Sequence, residues 1–106
     1  MEWISGNIFI RPNKLARAGD KTEGHTHNFD HTTVLFTGSF RITATLPDGS
    51  KMVREAVAPA HFLIKADVCH AIEALSDGTE YWCIYSHRDP QGEVTQVYTG
   101  WGDPYV

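Results

Sequence analysis

The chain has 106 residues, of which 42% are hydrophobic and 21% charged, proportions that are typical of one folded globular domain. Nine Lys and Arg residues against thirteen Asp and Glu leave a net charge of −4 without any basic stripe, which disfavours nucleic acid and anionic membranes as partners. The longest apolar run, residues 81–85, is far shorter than the roughly 20 residues of a membrane span, and the N-terminus lacks the basic start of a signal peptide. We therefore expect a single domain over residues 1–106 in the cytoplasm, with Cys69 and Cys83 reduced.

Turn-forming residues divide the chain at regular intervals into short segments rich in β-branched and aromatic side chains. One turn of helix is predicted over residues 14–18, and it is weak because a single turn barely repays helix nucleation. All other segments predict strands, and in chain order they are 7–11, 25–27, 31–37, 39–46, 51–57, 62–64, 69–74, 79–85 and 94–98. Many short strands separated by turns predict an all-β sandwich or barrel.

The clearest strand signal lies in residues 39–46, where Phe40, Ile42, Ala44 and Leu46 alternate with polar residues. This period of two indicates a strand with one buried face. Residues 51–57 follow across the turn at 47–50, so the two segments predict a β-hairpin.

Three of the six histidines, His25, His27 and His31, fall within seven residues. Residues i and i+2 of a strand share a face, and the polar residues 28–30 allow the chain to bring His31 back to that face. A fourth, His70, lies in another predicted strand. Because imidazole is the commonest metal ligand near neutral pH, the cluster indicates a divalent cation, and the alternative is a chance grouping of surface or core histidines. His61 and His87 are interpreted as non-ligands.

The histidine segment resembles the first motif of the cupin superfamily: Gly19, five residues, His25-Thr26-His27, three residues, His31, six residues and Gly38. His31 stands where the family usually has Glu. Of the second cupin motif, residues 65–74 keep only His70. The resemblance covers roughly residues 19–74 and is closest to the four-histidine subset of small single-domain cupins.

The resemblance implies a cupin-type double-stranded β-helix, or jelly-roll barrel, made of two antiparallel sheets. It also implies one divalent metal bound by His25, His27, His31 and His70. Imidazole ligands do not select the metal, which remains open among Fe, Mn, Ni, Co, Cu and Zn. A tetrahedral ion would be saturated by four histidines, whereas an octahedral ion would keep two positions for substrate or dioxygen.

The interior of a barrel of this size holds one small ligand. Inward positions after His31 include Thr33 and Leu35, while Cys69 points away by strand alternation. Further candidates for the pocket wall, each of which could equally be ordinary core, are Phe40, Ile42, Ile72, Tyr81, Trp82 and Tyr85.

Three functions remain open from the sequence. The first is a metal-dependent oxygenase, such as a non-haem dioxygenase, that acts on a small oxygen-bearing substrate. A related enzyme function is that of a Lewis-acid isomerase or lyase. The second is a non-catalytic module that binds or senses a metal or small molecule, and the third is a purely structural subunit. A homodimer is also expected, because Trp3 and the aromatic residues of 101–105 could cover a sheet edge against a second subunit.

Overall fold

The computed structural model of the chain describes residues 2–22 and 29–93, and all the regular structure in these residues is β-strand. Within them no helix is present that could cross a membrane. The strands are β1 (Trp3–Ser5), β2 (Ile8–Leu15), β3 (His31–Thr37), β4 (Ser39–Thr45), β5 (Lys51–Val57), β6 (Ala60–Ile64), β7 (Cys69–Ala74) and β8 (Thr79–Ser86).

The eight strands form two antiparallel sheets, which confirms the predicted fold class. One sheet has five strands in the order β1-β2-β8-β3-β6, and the other has three in the order β5-β4-β7. The predicted bounds of β3, β5 and β7 are reproduced, and β4 pairs with β5 as the predicted hairpin, from Ser39↔Val57 to Thr45↔Lys51. The predicted strands 25–27 and 94–98 lie outside the described residues.

The helix predicted over residues 14–18 is wrong, because the first two of these residues complete β2. β2 pairs with β8 over its whole length, and the last pair is Leu15↔Thr79. Beyond it the chain turns at Gly19, whose φ of 92° no right-handed helix contains. The strand also runs through Pro12, where the sequence suggested a turn. Proline is tolerated there because β1 pairs only with the first three residues of β2 and leaves the Pro12 edge without a ladder partner.

Strand β1 was missed by the sequence reasoning. It forms a tight hairpin with β2, in which Ser5 pairs with Ile8 across Gly6 and Asn7. Gly6 has a φ of 60° at the first turn position, where only glycine is comfortable. A Gly-Asn pair between apolar segments is a recognised hairpin signal and would have located this strand.

The two sheets pack face to face around one apolar core. Its fully buried members share inward-facing positions of the strands and are Leu35, Phe40, Ile42, Ile64, Ile72 and Tyr81. Residues 19–22 run beside β7, since the N–H of Gly19 donates to the carbonyl of Ala74 and that of Thr22 to the carbonyl of Ile72, each at 2.8 Å. The chain is therefore held against β7 just before the histidine segment.

Candidate metal centre

Two of the predicted ligands, His31 and His70, meet inside the barrel from opposite sheets. His31 is the first residue of β3, His70 is the second residue of β7, and each is only 2% exposed. The centroids of their imidazole rings are 5.2 Å apart. Strand alternation explains the meeting, since His31 shares an inward face with the buried Thr33 and His70 shares one with the buried Ile72.

The geometry of this pair fits a divalent transition metal. Nδ1 of His70 lies 3.3 Å from the backbone carbonyl oxygen of Val68, and metal-binding histidines commonly use such a contact to fix one ring nitrogen and present the other. This contact leaves Nε2 of His70 as the nitrogen that could bind a metal. With metal–nitrogen bonds near 2.1 Å, two imidazoles on one ion have ring centroids roughly 4.5–5.3 Å apart, and the observed 5.2 Å falls in that range.

The described interior around the pair offers no carboxylate. Cross-strand register and the alternation of buried residues define the inward positions of β2 to β8, and none of these positions holds Asp or Glu. A metal bound here by neutral imidazoles would keep its full positive charge. Such an ion attracts an anionic ligand or the oxygen of a substrate more strongly than one neutralised by carboxylates.

The other two predicted ligands, His25 and His27, lie outside the described residues. In the part of the chain that is described, no three His, Cys, Asp or Glu side chains form a group that could hold a metal. The described residues that flank this segment, Thr22 before it and Phe29 after it, both contact strands of the barrel. Thr22 is bonded to β7 beside Ile72, and Phe29 packs against Tyr85 with ring centroids 4.4 Å apart.

The predicted pocket residues divide into two groups. Thr33, Leu35, Phe40 and Ile72 are buried between the sheets, and the last three belong to the core cluster. Trp82 is not with them. It projects from the opposite face of β8, where it contacts Trp3 and Phe36 on the outside of the five-stranded sheet. Ile42, Tyr81 and Tyr85 are buried as well, so the structure brings seven of the eight predicted residues to the barrel interior.

A cavity of about 250 Å³ lies between β5 and β6, and neither His31 nor His70 lines it. Two of its lining residues are cross-strand partners of the histidines: Ile64 is paired with His31 and Ala44 with His70. The remaining lining residues are Ile42, Leu46, Met52, Arg54, Phe62, Leu63, Lys65 and Val68. The cavity is therefore apolar, with two cationic side chains and no acidic one in its wall.

Arg11 is an interior residue that the sequence reasoning missed. It lies on β2 opposite Cys83, in phase with the buried Phe9, and its side chain is only 16% exposed. Its Nε is 4.0 Å from a carboxylate oxygen of Glu2. The sequence of β2 gives no signal for this placement, because Ile8 and Ile10 make the outward face as apolar as the inward one.

Cys83 lies next to Arg11 in the barrel, and its sulfur is 3.9 Å from both Thr33 Oγ1 and Asn13 Nδ2. Loss of hydration raises the pKa of this thiol to about 11, and it outweighs the hydrogen bond with Thr33 and the charge of Arg11, which both lower the pKa. Only about one molecule in three thousand is then a thiolate at pH 7.5. Cys69 instead is half-buried on the outward side of β7.

We expect one fast-reacting thiol per native chain with a disulfide reagent at pH 7.5, and two after denaturation, because the thiolate is the reacting form. Cys69→Ser should abolish the fast reaction and Cys83→Ser should leave it unchanged. Two fast thiols in the native wild-type chain would contradict this placement of Cys83.

No family model and no curated protein matches this chain. Among solved structures it is similar to oxalate decarboxylase from Bacillus subtilis. One such chain, from work on the Mn(II) centres of that enzyme, is 22% identical with a TM-score of 0.68, over 76% of this chain and 21% of that chain. A tryptophan-to-tyrosine variant is 19% identical with a TM-score of 0.69, over 84% of this chain and 24% of that one. This chain thus spans about a fifth to a quarter of the length of those chains.

The likeness defines the fold. Two antiparallel sheets packed around one core, with no helix in the described residues, make this an all-β barrel. The barrel has the fold of the matched part of oxalate decarboxylase, which agrees with the jelly-roll barrel that the sequence resemblance implies.

Proposed function

We propose that this chain is a metal-binding cupin in which His25, His27, His31 and His70 hold one divalent transition metal. The observation that carries the proposal is the buried pair of His31 and His70, whose imidazoles converge from separate sheets at 5.2 Å. Neutral imidazoles that converge in this way are the commonest ligands of divalent transition metals in proteins. The Mn(II) centres of the similar oxalate decarboxylase are consistent with this proposal.

The described anchors leave His25 and His27 within reach of the pair. Thr22 is hydrogen-bonded to Ile72, two positions from His70, and His25 follows Thr22 by three positions in the sequence. Three residues span at most about 10 Å. On the other side, His27 precedes His31 by four residues, so the segment is tied to both strands that carry the described histidines.

We further propose that the chain is a metal-dependent oxygenase that acts on a small oxygen-bearing substrate. When bound, a redox-active ion supplies Lewis-acid activation of a substrate oxygen and electron exchange with dioxygen. The chain's own contribution is the cavity between β5 and β6, whose wall includes Ile42, Ile64 and Phe62 and would exclude water from an apolar substrate body. Arg54 and Lys65 in the same wall favour a substrate that carries a negative charge.

One observation favours a second candidate, a module that binds a metal or small molecule without turnover. The inward positions of β2 to β8 provide no Asp or Glu that could act as a general base. Isomerase or lyase chemistry needs such a proton acceptor beside the metal. An oxygenase that takes an already anionic substrate needs no such base, and in it the substrate supplies the electrons that reduce dioxygen.

We expect the purified full-length chain to retain about one equivalent of Fe(II), Mn(II) or Co(II) after dialysis. Adding acetylacetone, a chelating diketone, to the Co(II)-loaded protein should change its visible spectrum, because an oxygenase site keeps open coordination positions. Oxygen uptake by the Fe(II)-loaded protein with the same compound then separates an oxygenase from the other candidates.

Protein that retains no metal would contradict the whole proposal. Retained metal with an unchanged spectrum would contradict the oxygenase and leave the binding module. A changed spectrum without oxygen uptake from acetylacetone would argue against an oxygenase for diketones while keeping an open metal site.

A further inference from the structure

The cavity between β5 and β6 has an arginine on an inward-facing strand position, where the rest of β5 is apolar. Arg54 pairs with Ile42, a buried core residue of β4, so the two side chains share the inward face of the three-stranded sheet. Met52 and Ala56, two positions before and after Arg54, complete this face of β5. Arg54 lines the cavity and is exposed, which is the arrangement expected when an arginine stem lies along an apolar wall and its charged head reaches water.

A second cation, Lys65, lines the same cavity from the side of the five-stranded sheet. It follows Ile64, the last residue of β6, and it is exposed like Arg54. Among the described residues, no carboxylate oxygen lies within 4.0 Å of the charged nitrogens of either side chain. The described carboxylates therefore leave two positive charges at this cavity without a direct partner, in a chain whose net charge is −4.

The acidic residue of β5 is engaged on the other face of its sheet. Glu55 follows Arg54 directly, so its side chain points outward, and there it binds Arg41 of β4 at 2.8 Å. Arg54 instead donates one hydrogen bond, at 3.2 Å, to the backbone carbonyl of Val53. A guanidinium has five N–H donors, so most of those of Arg54 stay available to an anion from outside the chain.

The volume and the wall of the cavity define the body of a ligand. A dry apolar cavity of about 150 Å³ holds a benzene molecule. This cavity of about 250 Å³ therefore has room for a ring with a short chain attached. Ile42, Phe62 and Ile64 contribute apolar wall from both sheets. Small-molecule sites have this composition, a mainly apolar wall with a few polar groups that fix the orientation of the ligand.

We propose that this cavity binds a small carboxylate with an aromatic or aliphatic body. The carboxylate lies between Arg54 and Lys65, and the body lies against Ile42 and Phe62. Neither of the buried histidines lines the cavity, so this binding requires no metal. The proposed function gives the same cavity to the substrate. That such a carboxylate is the substrate rests on the proposed function, whereas its binding does not.

Calorimetric titration of 3-phenylpropanoate into the metal-free full chain tests this site, with 3-phenylpropanol as the matched neutral ligand. We expect the carboxylate to bind about fivefold more tightly than the alcohol at low salt, because each exposed cation adds a modest attraction. The difference should shrink at high salt, which screens exposed charges. Arg54→Gln combined with Lys65→Gln should make the two affinities equal. Lys51→Gln, on the outward face of the same strand, should leave the difference unchanged.

A second pair of variants tests the position of the ligand body. Met52 lines the cavity and is 43% exposed, so Met52→Trp fills the cavity from its open side and should weaken the binding of both ligands at least about tenfold. Val53 is 50% exposed on the outward face, and Val53→Trp should leave both affinities unchanged. Circular dichroism checks that each variant is folded.

Failure of the metal-free chain to bind 3-phenylpropanoate overturns the proposal, and so do equal affinities for the acid and the alcohol. Binding by the metal-loaded chain alone overturns it as well, because the metal would then hold the carboxylate. Loss of binding in folded Val53→Trp but not in Met52→Trp would place the ligand outside the cavity. A chain that binds the two ligands as expected but retains no metal contradicts the proposed function and supports this site.

Discussion

Replacing His70 by alanine is expected to lower the affinity for a divalent transition metal by at least about 100-fold. His70 is buried, its Nδ1 is held at the Val68 carbonyl, and its Nε2 is left to bind the ion next to His31. Loss of one imidazole removes a direct ligand, which costs more than the 10–100-fold typical of residues that only orient ligands. Metal titration by calorimetry, in the presence of a competing chelator, measures the change.

His61→Ala is the matched control for this experiment. His61 is exposed and lies on the outward side of β6, opposite Val34, so its removal should leave metal affinity unchanged. His70→Gln, which keeps most of the side-chain volume, separates loss of a ligand from loss of packing. Equal metal affinity in wild type and in folded His70→Gln and His70→Ala would refute the assigned site.

Gly38→Ala is expected to destabilise the fold by about 3 kcal/mol or more, because it combines backbone strain with a steric clash. Gly38 joins β3 to β4, where the chain passes from one sheet to the other, and its φ is 79°. A Cβ at this position would lie 2.8 Å from the backbone Cα of Thr79 and would also meet its hydroxyl. Thr79 is 1% exposed and bonded to Ser39, so it has no room to move aside.

Gly49→Ala isolates the strain from the clash. Gly49 has a similar φ of 87° in the turn between β4 and β5, but a Cβ there meets no atom within 4 Å. We expect this variant to lose only about 1–2 kcal/mol, the usual cost of a left-handed residue. Urea denaturation of both variants gives the comparison, and equal losses would show that the contact with Thr79 contributes nothing.

The sequence predicted the bounds of β3 and β7 correctly because turn-forming residues flank both strands, and His31 and His70 both lie inside the barrel. The resemblance to cupins was needed to predict that His31 and His70, which are 39 positions apart in the chain, belong to one site. Strand alternation alone shows which face a side chain occupies, and it cannot show which strands lie side by side.

The placement of Trp82 could not be predicted because β8 is apolar on both faces. Residues 81–85 contain Tyr81 and Tyr85 on the inward side and Trp82 and Ile84 on the outward side. Without a contrast in polarity, the period of two is invisible and either phase fits the sequence. The cavity was likewise beyond prediction, since its walls come from β4, β5 and β6, and sequence does not give the spacing between sheets.

The cavity lies along the seam between β5 and β6, two strands that belong to different sheets and are not paired with each other. β5 and β6 are each the outermost strand of a different sheet, so within the described residues only side chains meet between them. The short connection from Val57 to Ala60 holds one end of the seam, where the N–H of Ala58 donates to the carbonyl of Gly38. The far end, near Leu46 and Lys65, is bounded by side chains, so separating β5 from β6 there would break no hydrogen bond of either sheet.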